Sequence, residues 1–487
     1  MIPCGGQART VHLRLGGGSL NVLFIVVDTL RADHLGCYGY ARPTSPSMDG
    51  LARRGTRFSR CLAQANATHP SFTTLFTGCD PLRHGVVGHF GTRLPDPRLP
   101  MLAERFAEGG FATAAVDSLG RWFERGFAQV DRFDYDQGAK GPLHTGEEVT
   151  DLAVGQLRGL ARDRFLLFLH YWDPHTPYLP PPPYNRQFVQ LDENGMPPIG
   201  DLSAVDRFAP LAPYLRSWMG DAPSLDYVEA QYDGEIAYLD GQLGRLFREL
   251  DQLGLRNSTL VVLTGDHGES MTEHGICFDH HGLYEPQVIV PLLIALPDRV
   301  RAGRVVTTPV RHVDVLPTLC SLAGLEPPEV SNGWSLHGAL AGDRLRRVEP
   351  VFSCEASWQL KRAVRTDRWT LIQALEPDRY GNPLVELYDR SVDPGEASNC
   401  ASDHPAEEQL LSQLLQSWVR QRERETGESD ILSAQGVTLK GLRHTGDDTA
   451  EQLRARAQAS LRAGSDADEG FDEEALIEER LRNLGYL

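Results

Sequence analysis

Thr68 heads the run Thr68-His69-Pro70-Ser71-Phe72-Thr73-Thr74-Leu75-Phe76-Thr77-Gly78, and a hydroxyl placed beside a helix start can serve as a nucleophile. Pro70 has a fixed φ suited to a first helical turn, and Phe72, Leu75 and Phe76 fall at helical spacing. The run therefore predicts a helix that Thr68 precedes. First-turn N–H groups lack intrahelical partners and carry the positive end of the helix dipole, so they favour a tetrahedral oxyanion. Alone, such a threonine reads as a cap. Two distant segments change that reading. Residues 21–27 form a continuous apolar run ending in Asp28, and residues 259–264 form another that leads into Gly265-Asp266-His267-Gly268-Glu269. Both read as strands buried on two faces with acids at their carboxyl ends. Ligands of open parallel sheets bind beyond those ends, so Asp28, Asp266 and His267 can converge. Two carboxylates and an imidazole make a ligand set for a divalent ion, although either aspartate alone could equally be a cap.

The elements that must position these groups are legible at coarse grain. Residues 20–344 alternate apolar strands with helical segments, which predicts an α/β sandwich with a mostly parallel central sheet. Residues 100–135 supply a helix, a short strand over 112–116 and a loop. Residues 178–224, with four consecutive prolines from Pro180 to Pro183, read as a lid or substrate-specific insertion. Residues 227–253 form an amphipathic helix whose core stripe is Tyr232, Ile236, Leu239, Leu243, Leu246 and Leu250. Short strands over 350–354, 362–365, 369–373 and 385–388, a hairpin at Thr366-Asp367 and a helix over 406–425 predict a small antiparallel sheet closed by a helix. The expected division is a catalytic α/β domain over 20–344, a small α+β subdomain over 345–428, and a polar linker with a terminal helix over 429–487.

Composition narrows the class further. The 487 residues are 41% hydrophobic and carry a formal charge of −18, which disfavours nonspecific binding to nucleic acid or anionic membrane. Much of that acidity lies in residues 466–479. No stretch approaches the ~20 apolar residues of a membrane span, and residues 1–20 lack the apolar core of a secretory signal. A cytoplasmic location is the resulting expectation. The eight cysteines show no C-x-x-C spacing, which favours reduced thiols over a zinc cluster or disulfide framework.

Taken in order, the motifs resemble the sulfatase family of the alkaline phosphatase superfamily. Asp28-Thr29-Leu30-Arg31-Ala32-Asp33-His34-Leu35-Gly36-Cys37-Tyr38-Gly39 is similar to the first metal motif. Thr68 to Gly78 is similar to the nucleophile motif C/S-x-P-S-R followed by L-x-T-G, and Arg83-His84-Gly85 continues it. Asp266-His267-Gly268-Glu269 is similar to the second metal motif. Asp173-Pro174-His175-Thr176-Pro177-Tyr178, Leu283-Tyr284-Glu285 and His312-Val313-Asp314-Val315-Leu316-Pro317-Thr318 extend the resemblance from about residue 20 to about residue 400. It implies an alkaline phosphatase-like sandwich with a mostly parallel sheet plus a small C-terminal antiparallel sheet.

Departures from the family pattern bear on the chemistry. Sulfatases carry a cysteine or serine that is oxidised to formylglycine, and threonine at 68 cannot give that aldehyde. Phe72 stands at the motif arginine and Thr29 at the second of the paired metal aspartates. The family's Lys and His pair has no counterpart in residues 117–126, and His280 or His281 replaces a later lysine, with His280 preferred for its spacing from Tyr284. The chain thus resembles the threonine-type branches that act at phosphorus. The implied mechanism places a divalent ion on Asp28, Asp266, His267 and the hydroxyl of Thr68, with Thr68 as the metal-activated nucleophile. His175 and His280 would bind a nonbridging oxygen and protonate the leaving alcohol. Manganese or zinc suits the Asp and His donors, with calcium or magnesium also open. The expected activity is hydrolysis of phosphate esters, diesters above all, or of sulfate esters. A strict sulfatase and a noncatalytic anion-binding homologue are the alternatives. The expected partner is a small-molecule, glycan- or lipid-derived anionic ester, without nucleic acid or membrane span and with a possible homo-oligomer.

Overall fold

The protein's computed structural model describes residues 20–88, 94–117, 119, 121–133, 144–208, 211–345, 349–357, 359–378 and 380–433. The linker and terminal helix expected over 429–487 lie outside the described residues beyond position 433. The main sheet comprises β1 (Asn21–Val27), β2 (Thr56–Leu62), β3 (Ala112–Val116), β4 (Gln129–Asp131), β5 (Phe165–Tyr171), β6 (Thr259–Gly265), β7 (Ile289–Ala295), β8 (Arg304–Val306) and β9 (Val310–Arg311). Its order is β4-β3-β5-β1-β6-β7-β2-β8, with β9 beside β2. The run from β4 to β6 is parallel throughout, and β7 is antiparallel to both β6 and β2.

The apolar runs follow from this placement. Along β1, Leu23, Ile25 and Val27 point into the core on one face, and Val22, Phe24 and Val26 point into the core on the other. Each face is covered by helices, so a strand in the middle must be apolar at every position. Helices Gly146–Leu160 and Leu225–Gln252 cover the first face, and Thr68–Thr77, Leu102–Glu108 and Val315–Ala323 cover the second. The predicted stripe from Tyr232 to Leu250 lies in the first of these cores. The 178–224 insertion folds as helix Tyr184–Gln187, a 3-10 turn Ser203–Arg207 and helix Ala212–Met219. Among the described residues no helix is long and apolar enough to cross a membrane.

The expectation that Thr68 precedes its helix is corrected: Thr68 is the first helical residue, and extended Ala67 (φ −145°, ψ 149°) is the cap. The ladder starts when the Ser71 N–H donates to the Ala67 carbonyl at 3.1 Å. Pro70, at the third helical position, loses no bond there because first-turn N–H groups have no intrahelical acceptor.

A second sheet, β10 (Val351–Glu355), β11 (Lys361–Arg365), β12 (Trp369–Ala374) and β13 (Val385–Asp389), is antiparallel in sequence order. Helix Pro405–Thr426 closes it by setting Leu411, Leu415 and Trp418 against Val364, Leu371 and Leu387. The sheet is tied to the main one where the Cys354 N–H donates to the Gln64 carbonyl at 3.0 Å.

Candidate active site

Four neighbouring parallel strands end in a row of chemistry-bearing groups. Val116 of β3 is level with Leu169 of β5, His170 of β5 is level with Val26 of β1, and Val27 of β1 is level with Gly265 of β6. One step further along each strand lie Asp117, Asp28 and Asp266, with His170 between the first two. The register of the sheet thus brings together residues far apart in sequence.

Asp28, Asp266 and His267 are fully buried, and each offers a ligand atom within 4.8 Å of the others. Asp266 Oδ1 accepts from the N–H groups of His267 (2.7 Å) and Thr29 (3.1 Å). The Gly268 carbonyl lies 3.0 Å from His267 Nδ1; a carbonyl only accepts, so Nδ1 carries the hydrogen and Nε2 keeps its lone pair. Both oxygens of Asp28, Asp266 Oδ2 and His267 Nε2 have no hydrogen-bond partner in the protein. Buried polar atoms left this way are costly unless something else binds them.

The electrostatics point the same way. Burial opposes charge on Asp28, yet His170 beside it holds its pKa well below the ordinary value. Asp266 is pushed well above its ordinary value by burial and by the charge on Asp28. Two buried carboxylates side by side resist carrying two negative charges. Burial drives His267 down to about 4, so it is neutral. Two acids in conflict, a neutral imidazole and four unpartnered atoms fit a divalent cation, with Asp28, Asp266 and His267 as the residues that would hold it.

Thr68 is buried at 3% exposure, and contacts on both sides bracket it against this cluster. Two residues before it, Asn66 donates to the carbonyls of His280 (2.7 Å) and Gly282 (2.9 Å) and accepts from His280 Nδ1. Three residues after it, the Ser71 hydroxyl donates to the Asp266 carbonyl. Four residues after it, the Phe72 ring meets the His170 ring at 4.7 Å.

The histidines divide clearly. The His280 ring lies 4.5 Å from that of His267 and 6.0 Å from that of His175, so it neighbours both imidazoles. Burial, together with His267 and His175, pushes His280 well below its ordinary pKa. His281 turns away, with Nδ1 2.6 Å from the Tyr380 hydroxyl and Nε2 3.3 Å from Asp279. His175 Nδ1 donates to the Thr176 carbonyl at 2.8 Å and its ring rests 4.4 Å from Trp172. His274 stacks on Tyr284 at 3.6 Å. Arg31 pairs with Asp33 at 2.7 Å and Glu273 at 2.8 Å.

Sequence reasoning missed His170 and gave no role to Asp117. Within Phe165-Leu166-Leu167-Phe168-Leu169-His170-Tyr171 a histidine reads as a core residue. The available signal was that His170 is the one ionisable imidazole in a seven-residue strand that is otherwise aliphatic or aromatic and buried at every position. Its Nδ1 lies 3.0 Å from Asp117 Oδ1, and its Nε2 lies 3.4 Å from Asp28 Oδ2. Burial alone would lower it, but the two carboxylates raise it to about 10.

A mixed, mostly parallel sheet between helices with a separate antiparallel sheet defines an α/β class whose acids gather at the carboxyl ends of the parallel strands. The sulfatase family profile matches residues 20–325, and a second profile, N-sulphoglucosamine sulphohydrolase, C-terminal, matches residues 272–424. The chain belongs to the sulfatase family. It is similar to human (Homo sapiens) iduronate 2-sulfatase, at 25% identity over 80% of this chain and 81% of that protein. A structure of BT4656 bound to its substrate D-glucosamine-2-N,6-O-disulfate shares the fold (TM-score 0.70, 20% identity, 84% of this chain and 99% of that one). Phosphonate monoester hydrolase of Agrobacterium radiobacter shares it as well (TM-score 0.65, 24% identity, 83% and 96%).

Proposed function

We propose that this protein is a metal-dependent ester hydrolase in which Thr68 is the nucleophile and a phosphate diester or phosphonate monoester is the substrate class. The observation that carries the reading is the buried Asp28, Asp266 and His267 cluster with its unpartnered atoms, bracketed by the helix that begins at Thr68. When bound there, manganese or zinc would supply positive charge to a substrate oxyanion and lower the pKa of the Thr68 hydroxyl. The first-turn N–H groups of the Thr68 helix face the developing negative charge. His280 is neutral with its proton on Nδ1, so its Nε2 is suited to accept a proton and His175 to contact the leaving alcohol. A phospho-threonine can be released by water, whereas threonine lacks the aldehyde chemistry that frees sulfate from formylglycine. The likeness to a phosphonate monoester hydrolase supports this preference.

A second reading, hydrolysis of sulfate esters, is favoured by the family membership and by the resemblance to iduronate 2-sulfatase. One experiment separates the two. Nitrophenyl sulfate, phosphate, phosphate diester and phosphonate monoester are offered to the manganese-loaded wild type, Thr68→Ala and Thr68→Ser. The proposal expects diester or phosphonate turnover that falls at least about 1,000-fold in Thr68→Ala and is partly kept in Thr68→Ser, with metal content unchanged. Dominant sulfate hydrolysis would select the second reading, and full activity in Thr68→Ala would remove Thr68 as the nucleophile.

A further inference from the structure

We propose that Asp117 and His170 form a positioning pair that holds Asp28 with one carboxylate oxygen turned to the divalent cation; the inference rests on the metal-dependent reading above. The two oxygens of Asp28 face different imidazoles. Oδ1 lies 3.7 Å from His267 Nε2, on the side of the ligand cluster, and Oδ2 lies 3.4 Å from His170 Nε2, on the side of β5. The latter is longer than an ordinary hydrogen bond, so it restrains Oδ2 without saturating it. On the far side of the ring, His170 Nδ1 donates to Asp117 Oδ1 at 3.0 Å. The ring is thereby pinned at both nitrogens.

Packing fixes the remaining freedom. His170 and Asp28 are both 0% exposed, so no solvent reorients either group. The Phe72 ring meets His170 edge-on at 4.7 Å and also contacts Phe168, the residue two before His170 on β5. Because β3, β5 and β1 are adjacent and parallel, Asp117, His170 and Asp28 are held by sheet register and not by a flexible loop. A carboxylate whose outer oxygen is held in this way presents its inner oxygen to a cation as a single donor. Outer partners of this kind orient ligands and set metal affinity without touching the ion.

The test reads metal affinity and does not depend on the nucleophile or on which ester is cleaved. Chelator-treated full-length wild type, His170→Gln, Asp117→Asn and the double variant are titrated with manganese chloride by isothermal calorimetry. Metal-free melting temperatures are recorded alongside. The expected result is a Kd weakened about 10- to 100-fold in His170→Gln and less in Asp117→Asn. The double variant should be no weaker than His170→Gln alone, because the two residues act as one unit. Kd values equal to wild type in both single variants would overturn the proposal, even if their melting temperatures fall, because that pattern belongs to packing alone. Complete loss of binding in His170→Gln with Asp117→Asn unchanged would also overturn it, because His170 would then be a ligand in its own right. Failure of the wild type to bind manganese or zinc would instead refute the metal-dependent reading itself. Should His170→Gln not fold, Asp117→Asn alone decides.

Discussion

Thr29 donates its backbone N–H to Asp266 Oδ1 at 3.1 Å across 237 residues of sequence, and it does so from a left-handed conformation at φ 51°. A β-branched residue pays a conformational cost there. The Tyr232 hydroxyl holds the turn by donating to the Thr29 carbonyl at 2.8 Å, and the Arg31 N–H donates to that hydroxyl at 3.0 Å. The backbone N–H, not the side chain, is the part of Thr29 that orients Asp266. Thr29→Gly keeps the N–H and relieves strain of about 1–3 kcal/mol while adding about 0.5–1 kcal/mol of chain entropy cost, so stability should change little or rise. Thr29→Val removes the buried, unpartnered hydroxyl. Both variants lack Oγ1 and should bind metal like wild type; weaker binding in both would make Oγ1 a ligand, whereas weaker binding in Thr29→Val alone would point to strain from the β-branched side chain.

Removing metal should cost stability as well as any activity. Asp28 and Asp266 are buried acids that oppose each other's charge, and a cation relieves that conflict only in the folded state. A metal that binds the native state at a hundred times its Kd stabilises it by about 2.7 kcal/mol. Thermal melts in chelator and in excess manganese should differ accordingly. Asp266→Asn should abolish most of the difference, and an unchanged melting temperature on chelation would count against a bound ion.

Phe72 stands where the motif resemblance implies an arginine, and its surroundings are those of an aromatic core position. Its ring meets Phe76, Phe123, Phe168 and His170 at 4.7–6.1 Å and is 0% exposed. Phe72→Ala should cost about 3–5 kcal/mol through the cavity it leaves. Phe72→Arg should be at least as damaging, because it buries a charge among aromatic rings. Denaturant melts measure both, and a well-folded Phe72→Arg protein would contradict this account.

A pH effect follows from Asp173 and Glu235. Burial raises Asp173 from 3.8 to about 7, and burial with the neighbouring Asp173 raises Glu235 well above its ordinary value. The native state therefore keeps protons that the unfolded chain has released between about pH 4 and 7. The contribution is present in full below that window and is lost as pH rises through it. Melting temperature should fall from pH 5 to pH 8, and Asp173→Asn should flatten that fall. An unchanged slope in the variant would place the titration elsewhere.

The legible parts of the fold and site are those in which one local signal had one meaning. The ends of β1 and β6 could be read because an uninterrupted apolar run gives way abruptly to an acid. Strand β3 was placed at 112–116 and the long helix within two residues of Leu225–Gln252 for the same reason of clear periodicity. Strand β2, Thr56-Arg57-Phe58-Ser59-Arg60-Cys61-Leu62, escaped notice because its polar and apolar residues follow neither a continuous apolar run nor a strict alternation, and it carries a register shift between Phe58 and Cys61. Spacing from Tyr284 favoured His280 over His281 by a single position, and only tertiary contacts tell which ring faces His267. His170 was hidden by its apolar neighbours, since its partners come from two other strands.

The order β3-β5-β1-β6 has a kinetic consequence. Strand β1 can acquire its neighbours only after segments on either side of a long stretch of chain have met, and such non-local parallel pairing is slow. Asp28 and Asp266 cannot share a cation before β6 docks on β1. During refolding, uptake of a coloured or fluorescent metal probe would therefore lag behind helix formation and keep time with the closing of the sheet.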